Sequence, residues 1–499
     1  MEHRRGPTGT ARVSRPRLGP LATAGWVALA VVSLAACETE TAVPPKRPNI
    51  LWIVAEDLGP ELGSYGHPEV HTPHLDGLAA EGARYTRAFT VVPVCSPSRS
   101  AFMTGMHAIA IDAHNHRSHR GEGENPLPEG VRLLTHWLGD AGYYTINVRD
   151  PESGIGGSGK NDFNFSFPGK AWDSSRWADL RTHRPFYAQI NYSTTHRMGR
   201  RPNAGSRISR PADPSRVKIP PYYPDHPVTR QDWAEYLDTI MELDAQVGAV
   251  LARLEADGLA ESTIVVFIGD NGRTMLRGKQ WPYDSGLHVP MIVRWPGAFP
   301  PPPQISPGRV DDRLISALDL TATTLWAAGV ERPPKMQGRT FLGPDAVDNE
   351  YVFGARDRCD ETVMRIRTVR TPRYRYIRNF MPEQPFASPN AYKERMYPVL
   401  DLMKQLHAEG RLTPPQAALM APVRPPEELY DVEADPYEIH DLAESEDREH
   451  QRVKTELAAV LERWIADADD HGRTPEPPEL IEEVRRQSDA FWTEWEPPR

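Results

Sequence analysis

The sequence predicts an α/β fold around a large, mostly parallel sheet, and three stretches carry that prediction. Residues 49–55 (Asn-Ile-Leu-Trp-Ile-Val-Ala) and 263–268 (Thr-Ile-Val-Val-Phe-Ile) are unbroken apolar runs, the pattern of strands buried on both faces. Between them, residues 229–257 place Trp233, Tyr236, Ile240, Leu243, Val247, Val250 and Leu254 at steps of three and four, which predicts an amphipathic helix. Doubly buried strands that alternate with helices need a helical layer on each face of the sheet.

In chain order, Arg4, Arg5, Arg12, Arg15 and Arg17 precede an apolar run over 21–36 that ends Leu34-Ala35-Ala36-Cys37. A basic start followed by a short run rich in small residues reads as an export signal over residues 1–36, too short for a membrane span. Ordinary cleavage nearby or a retained anchor are the alternatives to lipidation at the end of this signal. A polar tether over 37–48 leads into the first strand, which stops at Glu56-Asp57. Residues 72–83, with Pro73 at the start and Leu75, Leu78 and Ala79 at helical spacing, predict a helix, and 131–141 predict another. Short strands are expected over 143–148 and 185–192. The long helix passes through Gly258 into the strand 263–268, which ends at Asp270-Asn271-Gly272. Proline-rich residues 200–227 and 300–307 read as surface loops. A boundary near 343–349 divides a main domain, 49–345, from a smaller one, 346–499, where 351–354 and 374–377 read as strands.

Beyond Cys37, Cys95 and Cys359 are the sole cysteines, too few for a disulfide framework, so a large apolar core must hold the fold. At 499 residues with 39% hydrophobic and 25% charged side chains, the chain has material for one. A formal charge of −10 argues against nucleic acid as a partner. It leaves room for an anionic substrate, because salt screens distant charge within about 10 Å.

Both buried strands end in acidic pairs, and ligands in open α/β sheets gather beyond the carboxyl ends of the strands. Glu56, Asp57, Asp270 and Asn271 are hard oxygen donors with no His or Cys among them, a set that suits Ca²⁺ or Mg²⁺ rather than zinc. Singly, such pairs also occur as solvated strand ends or helix caps. Between them stands Cys95-Ser96-Pro97-Ser98-Arg99, a CxPxR pattern ahead of Met103-Thr104-Gly105.

That pattern resembles the formylglycine signature of the type I sulfatases, and the resemblance runs from Arg47-Pro48-Asn49-Ile50 to Glu428-Leu429-Tyr430-Asp431 with Asp435-Pro436. It implies an alkaline-phosphatase-like sandwich whose smaller C-terminal α+β subdomain completes the substrate pocket. It also implies that a formylglycine-generating maturation enzyme oxidises Cys95, and that one Ca²⁺ or Mg²⁺ ion is held by Glu56, Asp57, Asp270, Asn271 and the modified Cys95. By the same resemblance, Arg99 supports the nucleophile. Lys279, in Arg277-Gly278-Lys279-Gln280, contacts sulfate and the leaving oxygen, and His196, in Thr194-Thr195-His196, is the general acid. Lys160, in Gly159-Lys160-Asn161-Asp162, resembles the GKxH element that follows a GYxT strand, here Gly142-Tyr143-Tyr144-Thr145.

Two positions depart from the family pattern. Glu56 stands where aspartate is usual, and Asp162 where the histidine that breaks down the sulfated intermediate is usual. Asp162 itself, or His114, His116 and Arg117 in the cluster 113–120, are the candidates for the missing role, with metal binding the alternative for the cluster. Residues 354–361 resemble a stretch of the heparan N-sulfatase (sulfoglucosamine sulfohydrolase) group and related bacterial glycan sulfatases. Arg356, Arg358, Asp360 and Glu361 are therefore candidate contacts to a polysaccharide, or else a solvated charged turn, and Cys359 is structural. Leu-Ala-Ala-Cys resembles the lipobox of bacterial lipoproteins, which implies a lipid anchor on Cys37 and a periplasmic or cell-surface location. The sequence thus points to hydrolysis of O- or N-sulfate on a glycosaminoglycan or algal glycan. A phosphoester or phosphonate hydrolase on the same fold, and a noncatalytic lipoprotein that binds sulfated glycans, are its rivals. The first fits poorly with a cysteine where Ser or Thr is needed, and Glu56 and Asp162 are the sole support for the second.

Overall fold

The computed structural model describes residues 47–117, 125–149, 157–199 and 208–495. The leader, Cys37 and most of the tether lie outside them.

The first apolar run forms β1 (Asn49–Ala55), and its alternate residues face opposite ways. Leu51, Ile53 and Ala55 pack with α1 (Pro73–Glu81) on one side of the sheet, while Ile50, Trp52 and Val54 belong to the core on the other. After α1 the chain turns at Gly82, where a Cβ would lie 2.2 Å from the Val293 carbonyl oxygen, and enters β2 (Ala83–Phe89). Next come α2 (Cys95–Thr104), α3 (Leu134–Asp140), β3 (Tyr144–Arg149) and β4 (Phe186–Tyr192). The predicted long helix is α4 (Pro227–Ala256), whose apolar stripe covers the same face as α1. It feeds β5 (Thr263–Gly269), then α5 (Asp284–Leu287), β6 (His288–Arg294), β7 (Arg309–Ser316) and α6 (Ala317–Ala327). Phe102 and Met103 of α2, Leu134 and Leu138 of α3, and Leu320 and Leu325 of α6 cover the second face.

The strands form one seven-stranded sheet in the order β3-β4-β1-β5-β6-β2-β7. β6 alone runs against its neighbours β5 and β2, and the other pairings are parallel. This is the mostly parallel, helix-flanked sheet that the apolar runs predict.

A second sheet is antiparallel, in the order β11-β10-β9-β8, and is built from β8 (Val352–Arg356), β9 (Ile366–Arg370), β10 (Tyr374–Asn379) and β11 (Glu427–Asp431). Helices α7 (Ala391–Met396), α8 (Pro398–Ala408) and α9 (Pro414–Ala418) come between β10 and β11, and α10 (Arg448–Asp467) and α11 (Pro478–Glu494) follow. One face of this sheet packs on α10 through Val369, Tyr376, Leu429, Leu457 and Leu461, and the Trp464 ring stacks on Phe353 at 4.8 Å. Its β9 and β10 are bolted to α5 of the large sheet's layer, because Arg370 and Arg375 both pair with Asp284. Arg375 reaches Glu438 as well, at 2.8 Å. Among the described residues no helix is long and apolar enough to cross a membrane.

Candidate active site

Parallel pairing fixes what stands at the carboxyl edge of the sheet. Ala55 pairs with Gly269 on β5 and with Tyr192 on β4, so Glu56-Asp57, Asp270-Asn271 and the loop to His196 leave the sheet side by side. The Asp57 N–H donates to Asp270 Oδ1 at 2.9 Å, across a sequence separation of 213 residues. Asp57 has φ 53, a left-handed conformation that aspartate tolerates better than most residues. Thr195 Oγ1 donates to the Glu56 carbonyl and ties the His196 loop to the end of β1.

Cys95 is the first residue of α2, where the partial positive charge of a helix N-terminus is greatest. Every residue of α2 is buried. Arg99, one turn on, shares the face of Cys95. Its Nε and Nη2 each lie 2.9 Å from Asp270 Oδ2, and Nη1 donates to Asn191 Oδ1. The helix ends at Gly105, at φ 69, with Met336 side-chain atoms from 2.7 Å of where a Cβ would stand. The cysteine Sγ lies 3.6 Å from Asp57 Oδ1 and 3.3 Å from Lys279 Nζ. Burial raises the thiol pKa to about 12, although Lys160 and Lys279 pull the other way. The free thiol is therefore neutral and a weak nucleophile at neutral pH.

Three carboxylates meet three cations here. Lys279 donates to Asp57 Oδ2 at 2.9 Å, Lys160 donates to Glu56 Oε2 at 3.0 Å, and Arg99 pairs with Asp270. Burial works to raise the Asp57 carboxyl, but Lys279 and then His196 hold it well below the usual range. Burial raises Asp270 in spite of Arg99, and the nearby Glu56 and Asp57 charges add to the rise. The donor set fits a hard divalent cation on an independent ground: Asn271 Oδ1 is buried without a hydrogen-bond partner. Its amide nitrogen is committed to Asp57 Oδ1 and the Gly272 carbonyl, and the oxygen, with no donor of its own, remains available as a ligand. Asp57, Cys95 and Asp270 offer ligand atoms within 4.8 Å of one another, and so do Glu56, Cys95 and His196.

His196 Nε2 is 3.0 Å from Lys279 Nζ and 3.7 Å from Asp57 Oδ2, and Nδ1 accepts the Met198 N–H. Burial, then the Lys279 charge, lowers the imidazole to about 4. Lys279 itself sits on a loop pinned from the other sheet's side, because Lys393 of α7 donates to the carbonyls of Leu276 and Lys279 at 3.0 and 2.8 Å. No motif in the sequence marks Lys393, which acts through a backbone contact.

Above these groups lies a cavity of about 260 Å³ lined by His116, Arg117, His196, Lys279, Asp360 and Tyr392, with α11 on the far side. The Arg117 N–H donates to Ser96 Oγ at 3.0 Å, which brings the 114–117 loop beside Cys95. His116 Nδ1 is 3.0 Å from Asp360 Oδ1, while Asp360 Oδ2 accepts from Gln280 Nε2 at 3.1 Å. The other ring nitrogen, Nε2, is buried with no partner. Burial lowers His116 to about 4 even though Asp360 opposes it.

The structure thus brings together Glu56, Asp57, Cys95, Arg99, Lys160, His196, Asp270, Asn271 and Lys279, with His116, Arg117 and Asp360 on the cavity wall. Asp162 lies 3.4 Å from Lys160, and although burial opposes it, Lys160 and Arg117 keep its carboxyl well below the usual range, a poor proton acceptor.

Other candidates are placed elsewhere. His114 is not among the cavity-lining residues and lines a separate hollow with Asp469 and Glu476. Arg356 is buried with its guanidinium 4.2 Å over the Trp281 ring. Arg358 is buried in a bidentate pair with Glu476 at 2.6 and 2.9 Å, and it donates to the carbonyls of His116 and Asp360. Glu361 accepts from the N-terminal Ala391 N–H of α7 and from Ser488 Oγ of α11. None of the three lines the cavity: Arg358 and Glu361 are paired inside the protein and fasten its wall, and Arg356 is buried against Trp281. Asn191, Gln280, Tyr392 and the α11 aromatics were not singled out in the sequence, and of them only Asn191, an amide inside an apolar strand, leaves a trace there.

A family model described as Sulfatase matches residues 48–330. An ulvan-active sulfatase of Formosa agariphila is 36% identical over 485 residues, covering 88% of this chain and 78% of its own. The N-sulphoglucosamine sulphohydrolase of Homo sapiens is 27% identical over 391 residues, covering 68% and 74%. Among solved structures, a 2-O GAG sulfatase superposes with a TM-score of 0.60 at 21% identity, over 87% of this chain and 96% of its own, and so shares the fold.

Proposed function

Because this chain belongs to the sulfatase family, we propose that it hydrolyses sulfate groups on a sulfated polysaccharide, an algal glycan or a glycosaminoglycan. The observation that carries this reading is Cys95 at the buried start of α2, between Asp57 and Lys279 and beneath a cavity walled by histidines and Arg117. The two relatives described above act, by their names, on ulvan and on N-sulphoglucosamine.

Formylglycine at position 95, made by a maturation enzyme, would supply the oxygen nucleophile that a thiol raised to about 12 does not. A single Ca²⁺ or Mg²⁺ held by Asp57, Asp270 and Asn271, with Glu56 beside them, would supply Lewis-acid polarisation of the sulfate. Glu56 is engaged by Lys160, so the longer side chain serves the pair as well as the cation. Lys279 Nζ and the Arg117 guanidinium offset the charge of the arriving sulfate, the main electrostatic barrier to attack. The Lys279 ammonium and the His196 imidazole, 3.0 Å apart, form the donor pair that passes a proton to the leaving oxygen. On turnover, His116 Nε2 accepts a proton from the cavity while Asp360, itself held by Gln280, fixes the ring, a role for which Asp162, paired with Lys160, is poorly suited. We also propose that Cys37 is lipidated and holds the enzyme at the periplasmic face or cell surface, on the strength of the leader sequence.

The test is release of inorganic sulfate from ulvan, chondroitin and heparin oligosaccharides by protein from a converting host, with intact mass of the tryptic peptide containing Cys95. Sulfate release together with a lighter peptide supports the reading. An unmodified cysteine in fully active protein sinks it. A second expectation concerns the cation: saturating Ca²⁺ or Mg²⁺ at about 100 times Kd stabilises the fold by about 2.7 kcal/mol, visible as a rise in Tm that EDTA reverses. No Tm change with either ion would rule out the proposed site.

A further inference from the structure

The cavity over Cys95 is polarised. At its inner end stand Lys279, His196 and Arg117, and the Arg117 Nε is buried without a hydrogen-bond partner. Its outer wall is α11, which contributes Ser488, Phe491 and Trp492. Phe491 is 48% exposed, one of five large apolar side chains so exposed among the described residues, and it alone of the five lines this cavity. Trp492 beside it is 6% exposed, its ring 5.0 Å from Phe491 and 6.1 Å from Tyr392. Trp492 and Tyr392 form the back of the wall, and Phe491 presents a free aromatic ring at the mouth.

Nothing in the fold of α11 itself requires that exposed ring. The helix is tied down by the buried Trp492 and by polar contacts. Arg358 grips Glu476 just before its start, and Ser488 donates to Glu361 at 3.1 Å. Both fastenings come from the 354–361 segment, whose Asp360 carboxylate holds His116. The charged segment therefore sets the distance between the aromatic wall and the catalytic floor.

We infer that α11 is the leaving-group subsite: the pyranose ring bearing the sulfate lies with its C–H face against Phe491, Trp492 and Tyr392, while the sulfate points to Lys279. An aromatic face offers the ring an apolar contact without a charge requirement, and the cations at the opposite end fix which substituent enters first. At about 260 Å³ the cavity is at the small end for a ligand site, so it takes one ring rather than a run of the polymer. This rests on the reading of the protein as a glycan sulfatase and names the element that selects the sugar.

The experiment measures binding rather than turnover. Full-length Cys95→Ala protein, with and without Phe491→Ala or Phe491→Trp, is titrated calorimetrically with sulfated ulvan and heparin oligosaccharides and with inorganic sulfate. Phe491→Ala is expected to weaken oligosaccharide binding by about fivefold to tenfold. Phe491→Trp should restore it, with inorganic sulfate binding unchanged in both. Oligosaccharide binding within about twofold of the parent in Phe491→Ala overturns the subsite, given that a stacking contact is worth more than that. An equal loss of sulfate and oligosaccharide binding overturns it too, because the damage would then lie in the floor. If the parent binds sulfate but neither oligosaccharide, the glycan reading fails and the subsite with it, an outcome distinct from the other two.

Discussion

Cys95→Ala is expected to abolish sulfate release, with a loss of about 10⁴-fold or more, while the protein stays folded. The size of the effect follows from the position of the residue. Asp57, Lys279, Arg99 and His196 converge on the start of α2, where Cys95 Sγ lies within reach of Asp57 and Lys279 while the Ser98 hydroxyl donates to the Asp270 carbonyl and the Ser96 hydroxyl accepts the Arg117 N–H. Lys279 and His196 act on charge and protons and do not supply the attacking oxygen. The loss should be confined to turnover, because Cys95 Sγ makes only long contacts, at 3.3 and 3.6 Å, so that its removal leaves no strong bond broken. Sulfate release and thermal unfolding, measured side by side, check both halves. Activity above about one per cent in the alanine protein would show that the nucleophile lies elsewhere.

Arg99→Leu is expected to cost about 3–5 kcal/mol of stability in EDTA and to eliminate activity as well. Arg99 is fully buried, and its guanidinium holds both Asp270 Oδ2 and Asn191 Oδ1. Removing it leaves a buried carboxylate beside Glu56 and Asp57 with no cation in contact, only the more distant Lys160, and the polar chain behind it loses its head. That chain runs from Asn191 to Asn147 at 2.8 Å, and from Asn147 to the Gly159 carbonyl and Asn161, the residue next to Lys160. Arg99→Lys should recover little, since a single ammonium does not reproduce the planar fork that spans two partners. Denaturant unfolding with and without Ca²⁺ is the measurement. Added cation should return part of the lost stability by taking over the Asp270 charge. A cost below about 1 kcal/mol in EDTA would mean that Asp270 is neutral in the folded protein and that the pair is not ionic.

How much of this was legible beforehand differs from residue to residue. β1 and β5 were visible as apolar runs because burial on both faces leaves no polar position to break them. β2 was not, since Arg84, Thr86 and Arg87 interrupt its sequence while pairing to β6 and β7 holds it in place. The predicted helix over 131–141 shortens to Leu134–Asp140, and α2 did not show at all, because its Ser, Arg and Thr side chains are buried with the rest and leave no apolar stripe at helical spacing. In the site, Glu56, Asp57, Asp270 and Asn271 were legible from strand ends, and Cys95 with Arg99 from a local motif. His116 and Asp360 were candidates on equal terms with His114 and Glu361, because sequence places them in the same short clusters. The fold separates them. His116 faces the cavity and is oriented by Asp360, whereas His114 lines another hollow and Glu361 caps α7.

What the sequence determined by itself is therefore the local chemistry: the kind of strand, the acidic pairs at the strand ends, the cysteine four residues before its arginine, and with them the family and the reaction. These need only periodicity and short spacing, which a linear chain displays directly. What the tertiary structure alone decided is which distant groups face one another. Parallel register puts Asp57 beside Asp270, a lysine of α7 pins the Lys279 loop by its backbone, and α11, fastened by Arg358 and Glu361, closes the cavity with Phe491 and Trp492. Contacts of that range depend on how layers pack across hundreds of residues, and packing is a property of surfaces brought together rather than of any one segment.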